Sequence, residues 1–130
     1  MMRRIFLILT CAVALATLST IVMAKTTITL NSTSASPNAT GSATMSVSSS
    51  EQSFEVQVGK LPTATYTLVV DGNSITTFTT GNGGGAQVRF STNPHGQELP
   101  LPSVLNPVSN IRLVEIKASS GAVVLTGSFY

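Results

Sequence analysis

The chain has 130 residues, a single cysteine, no tryptophan and a formal net charge of +2. Two cations, Arg3 and Arg4, stand at the N-terminal end; from Lys25 onward five cations (Lys25, Lys60, Arg89, Arg112 and Lys117) balance five anions (Glu51, Glu55, Asp71, Glu98 and Glu115). That balance leaves no basic patch to hold phosphates or an anionic membrane, which argues against nucleic-acid binding, and one cysteine cannot make a disulfide scaffold.

Residues 1–24 read as a secretory signal peptide. Arg3 and Arg4 precede the uncharged run Ile5–Ala24, and Val22-Met23-Ala24 offers β-branched and small residues at the −3 and −1 positions of a cleavage site. Two alternatives are weighed. Cys11, after Leu9-Thr10, is a lipid-attachment candidate, but Thr10 is large for such a site and the apolar run continues well past the cysteine. An uncleaved Ile5–Ala24 would just span a bilayer, but the small-residue exit favours removal. The expected product is one exported domain, residues 25–130, with no membrane span and with a periplasmic, cell-surface or extracellular location.

Within residues 25–130, 15 threonines and 16 serines supply polarity without charge. Threonine suits half-buried strands and serine suits turns. The hydrophobic period is two, and no window keeps helical spacing. In chain order, strands are expected at Thr26–Leu30, Ala43–Val47, Phe54–Val58, Tyr66–Val70, Ile75–Phe78, Val88–Phe90, Ile111–Ala118 and Ala122–Phe129. Pro62 ends the third. Asp71-Gly72-Asn73 and Ser119-Ser120-Gly121 read as hairpin turns. Gly81–Gly85 reads as a flexible connector; a phosphate cradle would need a helix after it, and a strand follows. Ile75–Phe78 and Ile111–Ile116 break the alternation, so a β-bulge is expected in each.

This pattern predicts an all-β fold: a small immunoglobulin-like antiparallel β-sandwich of about 7–8 strands. The strand spacing resembles immunoglobulin-like modules of secreted and cell-surface proteins, without their Cys…Trp…Cys signature. Residues 25–130 are too few for an eight-stranded outer-membrane barrel. The expected core is Leu30, Val47, Phe54, Val56, Val58, Leu61, Tyr66, Leu68, Val70, Ile75, Val88, Phe90, Leu113, Val123, Leu125 and Phe129.

The inventory for chemistry is small: one His, one Asp and four Glu. A catalytic triad would have to combine His95 with Asp71, which the Asp-Gly turn already explains. His95 and Glu98 give only two metal ligands in a loop, and Glu55, which could pair with Glu51 for sugar hydrolysis, is the polar half of an alternating strand. No catalytic residue, cofactor or metal site is expected. Tyr130 and Phe78 alone remain as stacking platforms for a sugar. Asn31-Ser32-Thr33 and Asn38-Ala39-Thr40 match the N-glycosylation pattern, in a stretch expected to be a loop.

One segment exceeds topological need. Thr92–Ser109 holds four of the six prolines, Pro94, Pro100, Pro102 and Pro107, together with Leu99, Leu101, Val104 and Leu105. Long connections are uncommon in small domains, and Leu-Pro-Leu-Pro favours stiff extended backbone. The segment serves either as a structural strap or as a recognition loop, with His95, Glu98, Leu99, Pro100, Leu101 and Pro102 as candidate contacts. The expected function is an exported, non-enzymatic structural or binding module. The alternatives are a small inhibitor or ligand-binding protein working through the Pro-rich loop 93–109, and a surface-fibre subunit assembled by an edge strand such as Thr26–Leu30. Oligomeric state is left open.

Overall fold

The computed structural model describes residues 24–130; the expected signal segment lies outside the described residues up to Met23, as does Cys11. Nine strands follow one another: β1 (Ala24–Ser32), β2 (Thr40–Val47), β3 (Gln52–Gly59), β4 (Thr65–Val70), β5 (Asn73–Thr79), β6 (Ala86–Ser91), β7 (Leu99–Pro100), β8 (Leu113–Ala118) and β9 (Val123–Ser128). Two 3-10 turns, Ser103–Leu105 and Val108–Asn110, lie between β7 and β8. There is no α-helix among the described residues, and none of their helices is long and apolar enough to cross a membrane.

The strands form one curled sheet in the order β5-β4-β8-β9-β1-β2-β3-β6-β7. β1 joins its two arms. Ala24–Leu30 pair with β2, while Asn31 and Ser32 pair with Thr126 and Leu125 of β9. A single hydrophobic cluster draws Phe54 and Val56 from one arm and Leu68, Val70, Val114, Ile116 and Leu125 from the other. The expectation of a wholly antiparallel sheet of seven or eight strands is corrected in two respects: there are nine strands, and β6 and β7 run parallel. The expected edge strand holds over its length: β1 stands between β2 and β9 in the strand order, but only Asn31 and Ser32 pair with β9, so among the described residues Thr26–Leu30 pair with a strand on one side alone, and β5 and β7 end the order.

Turn chemistry fixes the hairpins. Asp71 and Gly72 both take positive φ, +49° and +84°, as a two-residue primed turn requires. Asp71 tolerates that conformation because its carboxylate accepts hydrogen bonds from Arg112 N at 3.2 Å and Leu113 N at 2.8 Å, tying the β4–β5 turn to β8. The Gly81–Gly85 connector is pinned rather than flexible: at Gly84 (φ +76°) a Cβ would lie 2.2 Å from the Leu61 carbonyl oxygen. Asn31 and Ser32, expected in a loop, end β1, while Thr33–Ala39 turn back toward β2.

The outward faces follow the alternation. Lys25, Ser46, Ser53 and Ser91 form one cross-strand row, Thr27, Thr44, Glu55 and Arg89 the next, and Thr29, Ser42, Gln57 and Gln87 a third. The inward face of β3, Phe54, Val56 and Val58, is buried as expected. On β5 the expected bulge is present: Leu68 pairs with Thr76 and Val69 with Ser74, leaving Ile75 as the extra residue. The second bulge lies on the partner strand instead. Ile116 pairs with Leu125 and Lys117 with Val123, so Val124 of β9 is extra, and it is buried beside Leu125.

The core assignment therefore changes at the C-terminal end. Leu113 is exposed and Val114 and Ile116 point inward; Val123 is half-buried, and Val124 takes the inner place. Val47, Ile75 and Phe129 are partly buried at the margin of the core. The other expected core residues are buried, joined by Ala39, Ala43, Met45, Val69, Leu105, Val108 and Ile111.

Candidate functional site

The Thr92–Ser109 segment closes the outer end of the β3–β6 arm. Thr92 N donates to Gln52 O at 2.9 Å, and Leu101 N donates to Ser91 O at 2.9 Å, which lays Leu99–Pro100 alongside β6 as the edge strand β7. Beyond β7 the two 3-10 turns drive Leu105, Val108 and then Ile111 into the core, all three at most 2 % exposed. Gln52 clamps this part from below: its side-chain oxygen accepts from Val108 N at 2.9 Å and its amide donates to Asn106 Oδ1 at 3.3 Å. A segment whose only strand is two residues long is thus held down by apolar anchors and by paired backbone groups.

What this leaves outside is specific. Leu99 and Val104 are exposed, at 42 % and 60 %, with Pro100 exposed between them in sequence, while Leu101 packs against the core and Pro102 is half-buried. The two leucines flanking Pro100 therefore take different roles, one facing solvent and one anchoring. Pro100 has no N–H to offer and Pro102 restricts Leu101, so the exposed ridge is stiff.

Beside the ridge lies a half-open polar cleft of about 570 Å³, lined by Glu51, Gln87, Arg89, His95, Gln97 and Glu98. β6 presents Gln87 and Arg89 on its outward face, and a tight turn brings His95 and Glu98 over them. In that turn His95 N donates to Glu98 Oε1 at 2.9 Å, and Glu98 N donates to His95 O at 3.1 Å. Glu98 is also 3.9 Å from the Arg89 guanidinium. Ser91 Oγ donates to Glu51 Oε1 at 2.8 Å and accepts from Asn93 N. Glu55 accepts from the amides of Gln57 and Gln87 on the same face.

Of the expected contacts, the structure brings His95 and Glu98 into the cleft and Leu99 and Pro100 onto the ridge; it puts Leu101 and Pro102 underneath. Glu51, Gln52, Gln87 and Arg89 complete the arrangement; the sequence reading weighs Glu51 only as a partner for Glu55 and places none of the four beside the strap. The available signal was Arg89, a lone cation on the polar phase of a strand paired with Glu55. Asp71 is occupied by the backbone of β8 rather than by His95. Among the described residues no group of three or more His, Cys, Asp or Glu could hold a metal ion.

A second open cleft, lined by Ser109, Asn110, Arg112 and Tyr130, sits at the other end of the strap. There the Arg112 guanidinium lies 5.9 Å from the centre of the Tyr130 ring, and the Tyr130 hydroxyl donates to Ser109 O at 2.8 Å. Comparison of the chain with protein-family models, with curated proteins and with solved structures finds no match in any of the three.

Proposed function

We propose that this chain is an exported, non-enzymatic binding module: an immunoglobulin-like β-sandwich, released from its signal peptide, that meets a protein partner through the Pro-rich strap at the cell surface or in the periplasm. The curled nine-stranded sheet around one core supports the sandwich reading. The observation that carries the functional reading is the division of labour within the strap. Leu105, Val108 and Ile111 are buried, while Leu99 and Val104 stand in solvent on stiff backbone. Exposing large apolar side chains on a rigid base gains nothing for the fold. It lowers the ordering cost of a contact, and the neighbouring polar cleft supplies a hydrogen-bonding rim of the kind that surrounds an apolar contact centre.

The test uses two single substitutions. Leu99→Ser should leave the melting temperature within about 1–2 °C, as an exposed change does, while weakening capture of the partner recovered with the wild-type protein from its native compartment. Leu101→Ser should instead lower the melting temperature, because it removes a packed anchor. Equal loss of stability in both variants makes the strap a structural lid and removes the recognition role.

A further inference from the structure

The two ends of the sheet differ sharply. At one end β7 is two residues long and contains Pro100, whose missing N–H blunts the edge. At the other end β5 is seven residues long, Asn-Ser-Ile-Thr-Thr-Phe-Thr, with no charge, no proline and no glycine. Among the described residues it pairs only with β4. Proteins ordinarily guard such an edge with Lys, Pro or a bulge. Here the bulge at Ile75 guards the first part and leaves Thr76–Thr79 regular.

The direction of the free groups follows from the ladder. Thr80 N donates to Ala64 O at 3.0 Å, so the backbone of Thr80 faces the β4 side. Alternation then turns Phe78 and Thr76 toward β4 and leaves the N–H and C=O of Thr77 and Thr79 pointing away from the sheet. Both residues are exposed. The one side-chain contact to these groups is a 3.4 Å approach of the Thr76 hydroxyl to Thr77 O.

We propose that β5 is a self-association edge whose occupant is β5 of a second copy of this chain, paired antiparallel about a two-fold axis through Phe78. In this register Thr77 of each copy exchanges both backbone hydrogen bonds with Thr79 of the other, and the bulge at Ile75 stays clear of the contact. The two Phe78 residues meet as a close, non-hydrogen-bonded pair, each ring already backed by Tyr66 of its own copy at 6.0 Å. On the solvent face the row Thr65–Thr79 within one copy, whose hydroxyls lie 3.1 Å apart, continues into Thr77 and Thr67 of the other. No like charges oppose each other because the strand carries none. A two-fold contact of this kind uses the same edge on both copies and closes, so pairing through β5 yields a dimer. This inference is independent of the role given to the strap.

Sedimentation velocity of the purified protein at rising concentration tests it. The wild type should pass from monomer to dimer. Thr77→Pro leaves the β4–β5 ladder intact, because its N–H points outward, and should raise the dissociation constant at least about tenfold by deleting two of the four intermolecular hydrogen bonds. Two charge variants keep every N–H: Thr77→Lys with Thr79→Lys, and Thr77→Glu with Thr79→Glu. Each should be monomeric alone, and an equimolar mixture should dimerise. A wild type that stays monomeric at the highest soluble concentration overturns the proposal. So does a dimer that survives the charge substitutions, or a pair of oppositely charged variants that fails to associate when mixed.

Discussion

Val56 and Gln57 are neighbours on β3 with opposite fates, and substituting aspartate at each in turn measures the face assignment directly. Val56 is 1 % exposed, set between Ala43 of β2 and Val88 of β6 in the middle of the longest run of pairing in the arm. Val56→Asp forfeits about 2 kcal/mol of apolar burial. It also places a carboxyl where only hydrocarbon surrounds it, at a cost of about 3 kcal/mol or more, whether the group neutralises or stays charged. The total, about 5 kcal/mol, meets the lower end of the roughly 5–15 kcal/mol that holds a domain of this size together. Gln57 is exposed, and its side chain donates to Glu55 Oε2 at 3.0 Å. Gln57→Asp loses that bond in solvent and adds a like charge on the same face, while Gln87 continues to serve Glu55; about 1 kcal/mol or less is expected. Urea titration followed by circular dichroism reads both. The buried carboxyl has a raised pKa in the folded state, so the damage from Val56→Asp should be smallest in acid and should grow as pH rises through that pKa. Equal losses from the two substitutions, or a Val56→Asp penalty independent of pH, would refute the argument from alternation.

Burial pushes the Tyr66 phenol above the ordinary tyrosine range, and its hydroxyl donates to Pro62 O at 2.7 Å. Because the folded-state pKa is the higher one, stability should be intact below about pH 10 and fall as pH rises through the folded value; in a Tyr130→Phe background the phenolate absorbance should appear late and together with unfolding, and Tyr66→Phe should remove this alkaline dependence. Export should leave a protein beginning at Lys25, which intact-mass measurement of the exported material checks; a full-length chain, or a lipid-bearing form starting at Cys11, would contradict the signal-peptide reading.

The parts of this fold that were legible in the sequence are those written in local chemistry. Phe54-Glu55-Val56-Gln57-Val58 announces a one-sided strand, Asp71-Gly72 announces its turn, and the broken phase of Ile75–Phe78 announces a bulge. What failed to show depends on contacts far along the chain. Ile111 looked like the first apolar residue of a strand, which set the phase that put Leu113 inside. In the structure Ile111 follows a 3-10 turn and is buried from there, β8 begins only at Leu113, and the phase is the opposite one. The register irregularity belongs to β9, where a continuous apolar run, Val123-Val124-Leu125, hides which residue is extra. The candidate site was half visible. Prolines and leucines marked the strap, but nothing near His95 in sequence tells that Arg89 will lie beneath it or that Ser91 will bind Glu51, a partner 40 residues away.

The sheet order also sets a schedule for folding. The β4–β5 hairpin is hydrogen-bonded into the sheet only through β8, and β8 is linked to β1 in the ladder only through β9. During vectorial synthesis β1, β2, β3 and β6 can associate early, but the hairpin made between β3 and β6 has no ladder to join until the last two strands emerge. Half of the hydrophobic cluster therefore stays open until translation reaches β9, and the decisive pairing, Asn31 and Ser32 with Thr126 and Leu125, spans most of the chain. Such non-local closure slows folding relative to a domain built from adjacent hairpins. A ribosome-stalled chain lacking β9 should remain protease-sensitive in both β4 and β5, with protection arriving in one step once β9 is free.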